Sequence, residues 1–180
     1  MTSLKGHLLI SSPSLHDPNF RHTVVLIAHH DDESAAGIIL NRPTELAVAD
    51  ATPPLADLAG HGARLFEGGP VEPRQPVLLA ELRGSAQLDL PIFANIGFLT
   101  DEIDEVVRAS VLQARIFAGY SGWGAGQLEA EMQGDAWIIE PARAEDVFTD
   151  EPGSLWRRVL ERKGGAYKRV AMLPKDPRVN

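Results

Sequence analysis

Residues 23–43 read TVVLIAHHDDESAAGIILNRP, and this stretch decides the fold. Two aliphatic runs, at 23–28 and 37–40, flank the polar stretch His29-His30-Asp31-Asp32-Glu33. Short aliphatic runs bounded by turn formers predict strands. Their spacing is that of a β-hairpin, because parallel strands need a crossover of a dozen or more residues and none fits here. Asn41-Arg42-Pro43 then stops the second strand. Working outward, residues 8–10 predict an earlier strand, residues 64–66 lead into the sharp turn Gly68-Gly69-Pro70, and residues 76–82, 92–98, 115–120 and 136–139 predict later strands. Helices are fewer. A short one follows Pro53-Pro54 through Leu55 and Leu58, and another starts at an Asp101 N-cap with Ile103, Val106, Val107 and Val111 as its buried stripe. A third covers 127–133, and a fourth, capped by Ser154, buries Leu155, Trp156, Val159 and Leu160 until Gly164-Gly165 stops it. The expectation is an α+β domain, its largely antiparallel sheet flanked by helices.

With 180 residues, 44% hydrophobic and 23% charged, the composition is that of a globular chain, and one domain over residues 1–180 is expected. Folding at this size buries about two thirds of the chain's surface, enough for a core without covalent staples. There is no cysteine, which excludes disulfides, thiolate catalysis, zinc knuckles and iron–sulfur ligation. The opening residues MTSLKGHLLISSP hold too short an apolar run for a signal peptide, and far fewer than the roughly 20 residues that cross a bilayer. A soluble cytoplasmic protein without membrane association is expected. Lys and Arg number 17 against 25 Asp and Glu, a net charge of −8 that argues against generic nucleic-acid binding. The charge is uneven: residues 155–178 carry eight Lys or Arg against Glu161 and Asp176, a local +6 that leaves −14 for the rest. Such a face suits an acidic protein partner, a second copy or nucleic acid, or is simply solvated. No helix-turn-helix, zinc finger or RNP motif accompanies it, so no specific nucleic-acid partner is expected.

Three turns hold the residues with chemical potential. Residues 119–129, GYSGWGAGQLE, set Gly119, Gly122, Gly124 and Gly126 between a strand and a helix start, where exposed N–H groups can bind an anion. Known motifs do not fit. A P-loop needs Lys and then Ser or Thr where Gln127 and Leu128 stand, the glycine spacing falls short of GxGxxG, and a hydrolase elbow around Ser121 needs glycine where Trp123 stands. The structural alternative is that the glycines let Trp123 fold over the core while Glu129 or Glu131 ties the helix start. Arg42 either offers a bidentate fork to a carboxylate or phosphate, or pairs with Glu67 or Glu129 as a structural lock. Gly68-Gly69-Pro70 permits close backbone approach. His29-His30, with His16 and His22, suggests a metal cluster, yet neighbours on a strand point to opposite faces; a solvated hairpin tip and no metal are expected.

GHLLISSPSLHDPNF at 6–20, GIILNRP at 37–43, FEGGPV at 66–71, FAGYSGWGAGQLEAEM at 117–132 and the closing LPKDPRVN run in order along the chain. Together they resemble the YqgE/AlgH family of bacterial proteins. The resemblance implies an α+β domain with a split, mostly antiparallel sheet curled into a partial barrel. It implies no established reaction, and one member name reflects a proposed role in transcriptional regulation of alginate production.

The expected role is non-catalytic binding or regulation, without catalytic residue or cofactor. A small anionic ligand or a protein partner is recognised where Asn41, Arg42, Gly68, Gly69, Pro70, Gly119, Ser121, Gly122, Trp123, Gly124, Gly126, Gln127 and Glu129 converge. A hydrolase or transferase using Ser121 or a carboxylate is the second reading, and a DNA-binding regulator the third.

Overall fold

The computed structural model describes residues 2–100 and 102–174. Its first strands, β1 (His7–Ser11), β2 (Val24–His30) and β3 (Ser34–Ile39), form an antiparallel meander. Their apolar runs are continuous because both faces are covered. Leu8, Ile10, Val24, Leu26 and Ile38 face a core shared with Phe66, Phe117, Leu155 and Trp156, while Leu9, Val25, Ile27 and Ile39 pack on Trp123, Leu128 and Trp137. Burying each such aliphatic side chain contributes about 1.5–3 kcal/mol, so a one-residue slip of register is not tolerated on either face.

β4 (Pro43–Ala47), α1 (Val48–Ala51), a 3-10 turn (Pro53–Leu55), α2 (Ala56–Ala59) and β5 (Arg64–Glu67) come next. They lead into β6 (Val71–Leu82), β7 (Leu90–Phe93), β8 (Ile96–Leu99), α3 (Glu105–Ser110) and the long β9 (Val111–Gly124). The chain ends with α4 (Gln127–Gln133), β10 (Trp137–Pro141), α5 (Ala144–Val147), α6 (Pro152–Lys163) and α7 (Tyr167–Val170). The sheet order is β10-β1-β2-β3-β9-β6-β8-β7, antiparallel along that path. β5 adds in parallel to β9 and carries β4. β7 curls back to stand near β2 without pairing to it, so the barrel stays open at that seam. The fold is α+β with a largely antiparallel, curled sheet, as the sequence predicts. Among the described residues no helix is long and apolar enough to cross a membrane.

Several boundaries differ from expectation. The glycine stretch 119–124 is strand, not turn: β9 runs through it, pairing Gly37 with Ser121 and Ala35 with Trp123. Ser121 and Trp123 are buried while Gly122 and Gly124 are exposed, a period-two pattern that the glycines disguise. Residues 92–98 are not one strand; Ala94, with φ +48°, turns the chain between β7 and β8. The Asp101 cap lies outside the described residues. The helix there is α3, capped instead by Asp104, whose carboxylate accepts from the Val107 N–H; Val106 is 73% exposed and Val111 already belongs to β9. The apolar spacing is real but serves one turn and a half of helix. α6 begins before Ser154 and buries the four apolar residues expected of it.

Candidate functional site

The Gly68-Gly69 turn packs against the glycine stretch of β9. A Cβ on Gly69 would stand 2.2 Å from the Tyr120 carbonyl, one on Gly68 2.2 Å from the Gly119 oxygen, and one on Gly119 2.6 Å from the Gly69 oxygen. The Gly68 N–H donates to the Ala118 carbonyl and the Gly68 carbonyl accepts from the Ile39 N–H, both at 2.9 Å. The fully buried Ser121 hydroxyl donates to the same Gly68 oxygen at 3.2 Å. The space between these segments is filled by backbone, and the Ser121 hydroxyl is buried in it. Pro70 is exposed beside them. Gly122, Gly124 and Gly126 have no such constraint, because a Cβ on Gly124 or Gly126 meets open space and one on Gly122 only ordinary contacts; Gly126 alone of the three has positive φ.

Beyond the glycines the motif is a staple. The Trp123 and Trp137 indole N–H groups both donate to one Glu131 oxygen, at 2.9 and 2.7 Å. Gln127 donates to the other Glu131 oxygen and accepts from the Gly124 N–H. Phe20 stacks on Trp123 and meets Trp137 edge-on. Glu131→Leu is expected to cost about 2–3 kcal/mol, because it strands two indole donors at once. Tryptophan fluorescence during urea unfolding reads this directly, and a loss below about 0.5 kcal/mol contradicts the staple.

Glu129 pairs with His30, not Arg42. The Leu4 N–H donates to His30 Nδ1, so the proton sits on Nε2 and is given to Glu129 at 2.8 Å. The backbone N–H at the start of α4 and then His30 hold the Glu129 carboxyl below the usual carboxylate range. Its stabilising contribution is therefore present above the ordinary carboxylate pKa and fades as pH falls through the lowered one. His29 points the other way, exposed, and pairs with Asp31 at 2.9 Å. Among the described residues no three His, Asp or Glu side chains gather as a metal site.

Asn41 and Arg42 act on a different segment, the loop at 12–22. Asn41 accepts from the Val24 N–H at 2.9 Å and donates to the His22 carbonyl at 2.8 Å. The Arg42 guanidinium donates to the carbonyls of Pro18, Asn19 and Arg21, with Glu67 at 3.4 Å. It is thus neither a free fork nor a buried ion pair but a clamp under the loop. Ser12 and Ser14 donate to the Asp135 carbonyl, and Phe20 anchors the loop on the two tryptophans. His22 is held at φ +51°, its ring stacked on Trp156 at 4.0 Å. On the loop's outer side lies a cleft of about 410 Å³ lined by Leu15, His16, Arg21, His22, Trp156 and Leu173. The side chains of His16 and Arg21 have no partner among the described residues. The sequence suggests His16 and His22 only as metal ligands and Trp156 only as core, and it singles out no role for Arg21. The signal available was two histidines and an arginine inside one short loop dense in Ser, Pro, Asp and Asn.

A model of the AlgH-like family matches residues 8–168. The chain belongs to that family. It is 40% identical over 187 residues to a UPF0301 protein of Streptomyces avermitilis, covering all of this chain and 97% of the relative. A UPF0301 protein of Mycobacterium tuberculosis is 37% identical over 95% of this chain and 88% of its own length. Among solved structures, a Corynebacterium diphtheriae protein superposes with TM-score 0.84 at 22% identity, covering 96% of this chain and 94% of that one, and supports the fold alone. The solution structure of the AlgH protein from Pseudomonas aeruginosa superposes with TM-score 0.74 at 28% identity over 97% of both chains.

The basic C-terminal face of this AlgH-like chain is largely engaged internally. Arg157 pairs with Glu161, Arg158 donates to Thr149, Arg162 grips Asp146 through both terminal nitrogens, and Lys163 reaches the Ile139 carbonyl and Glu140. Lys175, Asp176 and Arg178, which belong to the same charge excess, lie outside the described residues.

Proposed function

We propose that this AlgH-like protein is a cytoplasmic, non-catalytic binding domain with a regulatory role, and that it takes a small organic anion in the cleft along the 12–22 loop. One observation carries the reading: Arg21 and His16 line that cleft without partners among the described residues, on a loop braced by Asn41, Arg42 and Phe20. A braced loop has already lost the freedom that binding would otherwise remove, so its donors meet an anion at low entropic cost. Arg21 supplies a planar fork for phosphate or carboxylate, His16 supplies a ring N–H donor, and Leu15, Trp156 and Leu173 cover an apolar body. The glycine stretch contributes at a distance, by fixing β9 and the tryptophans on which Phe20 rests. Phosphoryl and carboxylate groups suit the cleft better than duplex DNA suits α6, whose cationic side chains are held by Glu161, Asp146 and Glu140.

A thermal-shift screen against nucleotides, sugar phosphates and carboxylic acids tests this. Arg21→Ala is expected to weaken the anion found by about ten- to hundred-fold, the loss of a charge-assisted hydrogen bond, while leaving the unfolding midpoint unchanged. Arg42→Ala is expected to lower both, because it frees the loop. An Arg21→Ala protein that keeps the full ligand shift contradicts the assignment.

A further inference from the structure

The seam where β7 fails to close on β2 holds the other large hollow of the fold, a cleft of about 560 Å³. That is the size of a small-molecule site, and its lining is mostly apolar, as such sites are. The hollow exists because its floor is made of small residues. Ala28 and Ala36 lie on the two hairpin strands. Val77, Leu90 and Phe98 form the walls, with Leu90 left 56% exposed at the opening.

The polar part of this cleft is the opposite of the first. Among the described residues that line it, the sole charged side chain is Glu72, and Tyr120 and Phe98 are the aromatic ones. Two independent features mark Glu72. Its backbone sits at φ +47°, where the β6–β9 ladder breaks register between Val71 and Pro76. A non-glycine residue rarely adopts that conformation. Among the described residues its carboxylate also has no hydrogen bond or ion pair. Arg74 does not line this cleft, although it shares an adjoining surface hollow with Glu72 and Gln75. A second carboxylate lies just outside the lining, where Asp89 accepts from the Thr100 N–H at 2.7 Å. A lone carboxylate beside aromatic rings, over an apolar floor, is the chemistry that selects an ammonium group on a hydrocarbon body: the ring faces attract the cation, the carboxylate pairs with it and the floor takes the apolar part.

We propose that the seam cleft binds a small apolar amine, its hydrocarbon body on Ala28, Ala36 and Phe98 and its ammonium group between Glu72 and Tyr120. This goes beyond the anion cleft on the 12–22 loop and does not depend on it.

Three near-isosteric probes decide the matter by calorimetry on the whole chain at neutral pH: 2-phenylethylamine, 2-phenylethanol and 3-phenylpropionate. The amine is expected to bind saturably with one site per chain, about ten-fold more tightly than the alcohol, with the carboxylate weakest. Glu72→Gln, an exposed change that leaves the core untouched, is expected to bring the amine down to the alcohol's affinity and leave the alcohol unchanged. Ala36→Leu, which fills the floor, is expected to weaken both by about ten-fold or more. Arg21→Ala is expected to change none of these values, which separates this site from the anion cleft. Absence of saturable binding, equal affinity for amine and carboxylate, or an amine preference that survives Glu72→Gln overturns the proposal.

Discussion

Gly69→Ala is expected to destabilise the protein by about 3–5 kcal/mol, lowering the thermal midpoint by roughly 6–20 °C. Two costs add. The alanine Cβ would lie 2.2 Å from the Tyr120 carbonyl carbon and oxygen and 2.5 Å from the Ser121 nitrogen, all backbone atoms that cannot rotate aside. The φ of +154° adds strain of about 1–3 kcal/mol in a conformation that side chains avoid. Gly124→Ala is the control: its Cβ meets open space and its φ is not positive, so the midpoint is expected to stay within a few degrees of the wild type. If the two variants lose comparable stability, the backbone knot between the 68–70 turn and β9 is not what the glycines are for.

Asp146→Ala is expected to cost about 3–5 kcal/mol. The Asp146 side chain is 3% exposed, accepts both terminal nitrogens of Arg162 at 2.8 and 2.9 Å, and caps α5 by accepting from the Arg143 N–H at 2.9 Å. Its removal leaves a mostly buried guanidinium, whose proton Asp146 holds more tightly than usual, with Glu140 at 3.7 Å as its nearest remaining carboxylate. Asp146→Asn keeps an acceptor for the cap but not the charge, and is expected to fall between the wild type and alanine. Equilibrium denaturation of Asp146→Ala, Arg162→Met and the double variant reads the coupling. A coupling of about 2 kcal/mol or more is expected, whereas simple additivity means that the pair does not hold α6 to the β10 end of the sheet.

Much of this architecture is legible in the chain. The hairpin at 23–40 is fixed by two aliphatic runs too close for a crossover, and α6 by four apolar residues on one face. Two other stretches mislead for a physical reason. Glycines remove the alternation by which a strand is recognised, so 119–124 looks like a turn although Ser121 and Trp123 point inward between exposed neighbours. Around residue 101 the opposite happens: Ile103, Val106, Val107 and Val111 keep helical spacing, yet the helix is six residues long and Val106 faces solvent. The candidate site is half legible. Asn41, Arg42, Trp123 and Gln127 stand out as residues with hydrogen-bonding work to do, but sequence cannot say toward what. Their partners are the carbonyls of 18–22 and the Glu131 carboxylate, reached only through the tertiary fold. Arg21 and His16 give the reverse lesson, since a residue without a partner among the described residues leaves no trace in the spacing of its neighbours.

That the motif segments brace a loop presenting Arg21 and His16 to an anion is tested by following the backbone amides and indole N–H groups of isotope-labelled protein by NMR during a phenyl phosphate titration. The account predicts saturable shifts at His16, Arg21, His22 and the Trp156 indole, whose N–H donates to the Ser11 carbonyl, with Gly69, Gly119 and Ser121 unmoved. Shifts that fail to saturate, or that centre on residues 119–127 while the 12–22 loop stays still, would contradict it.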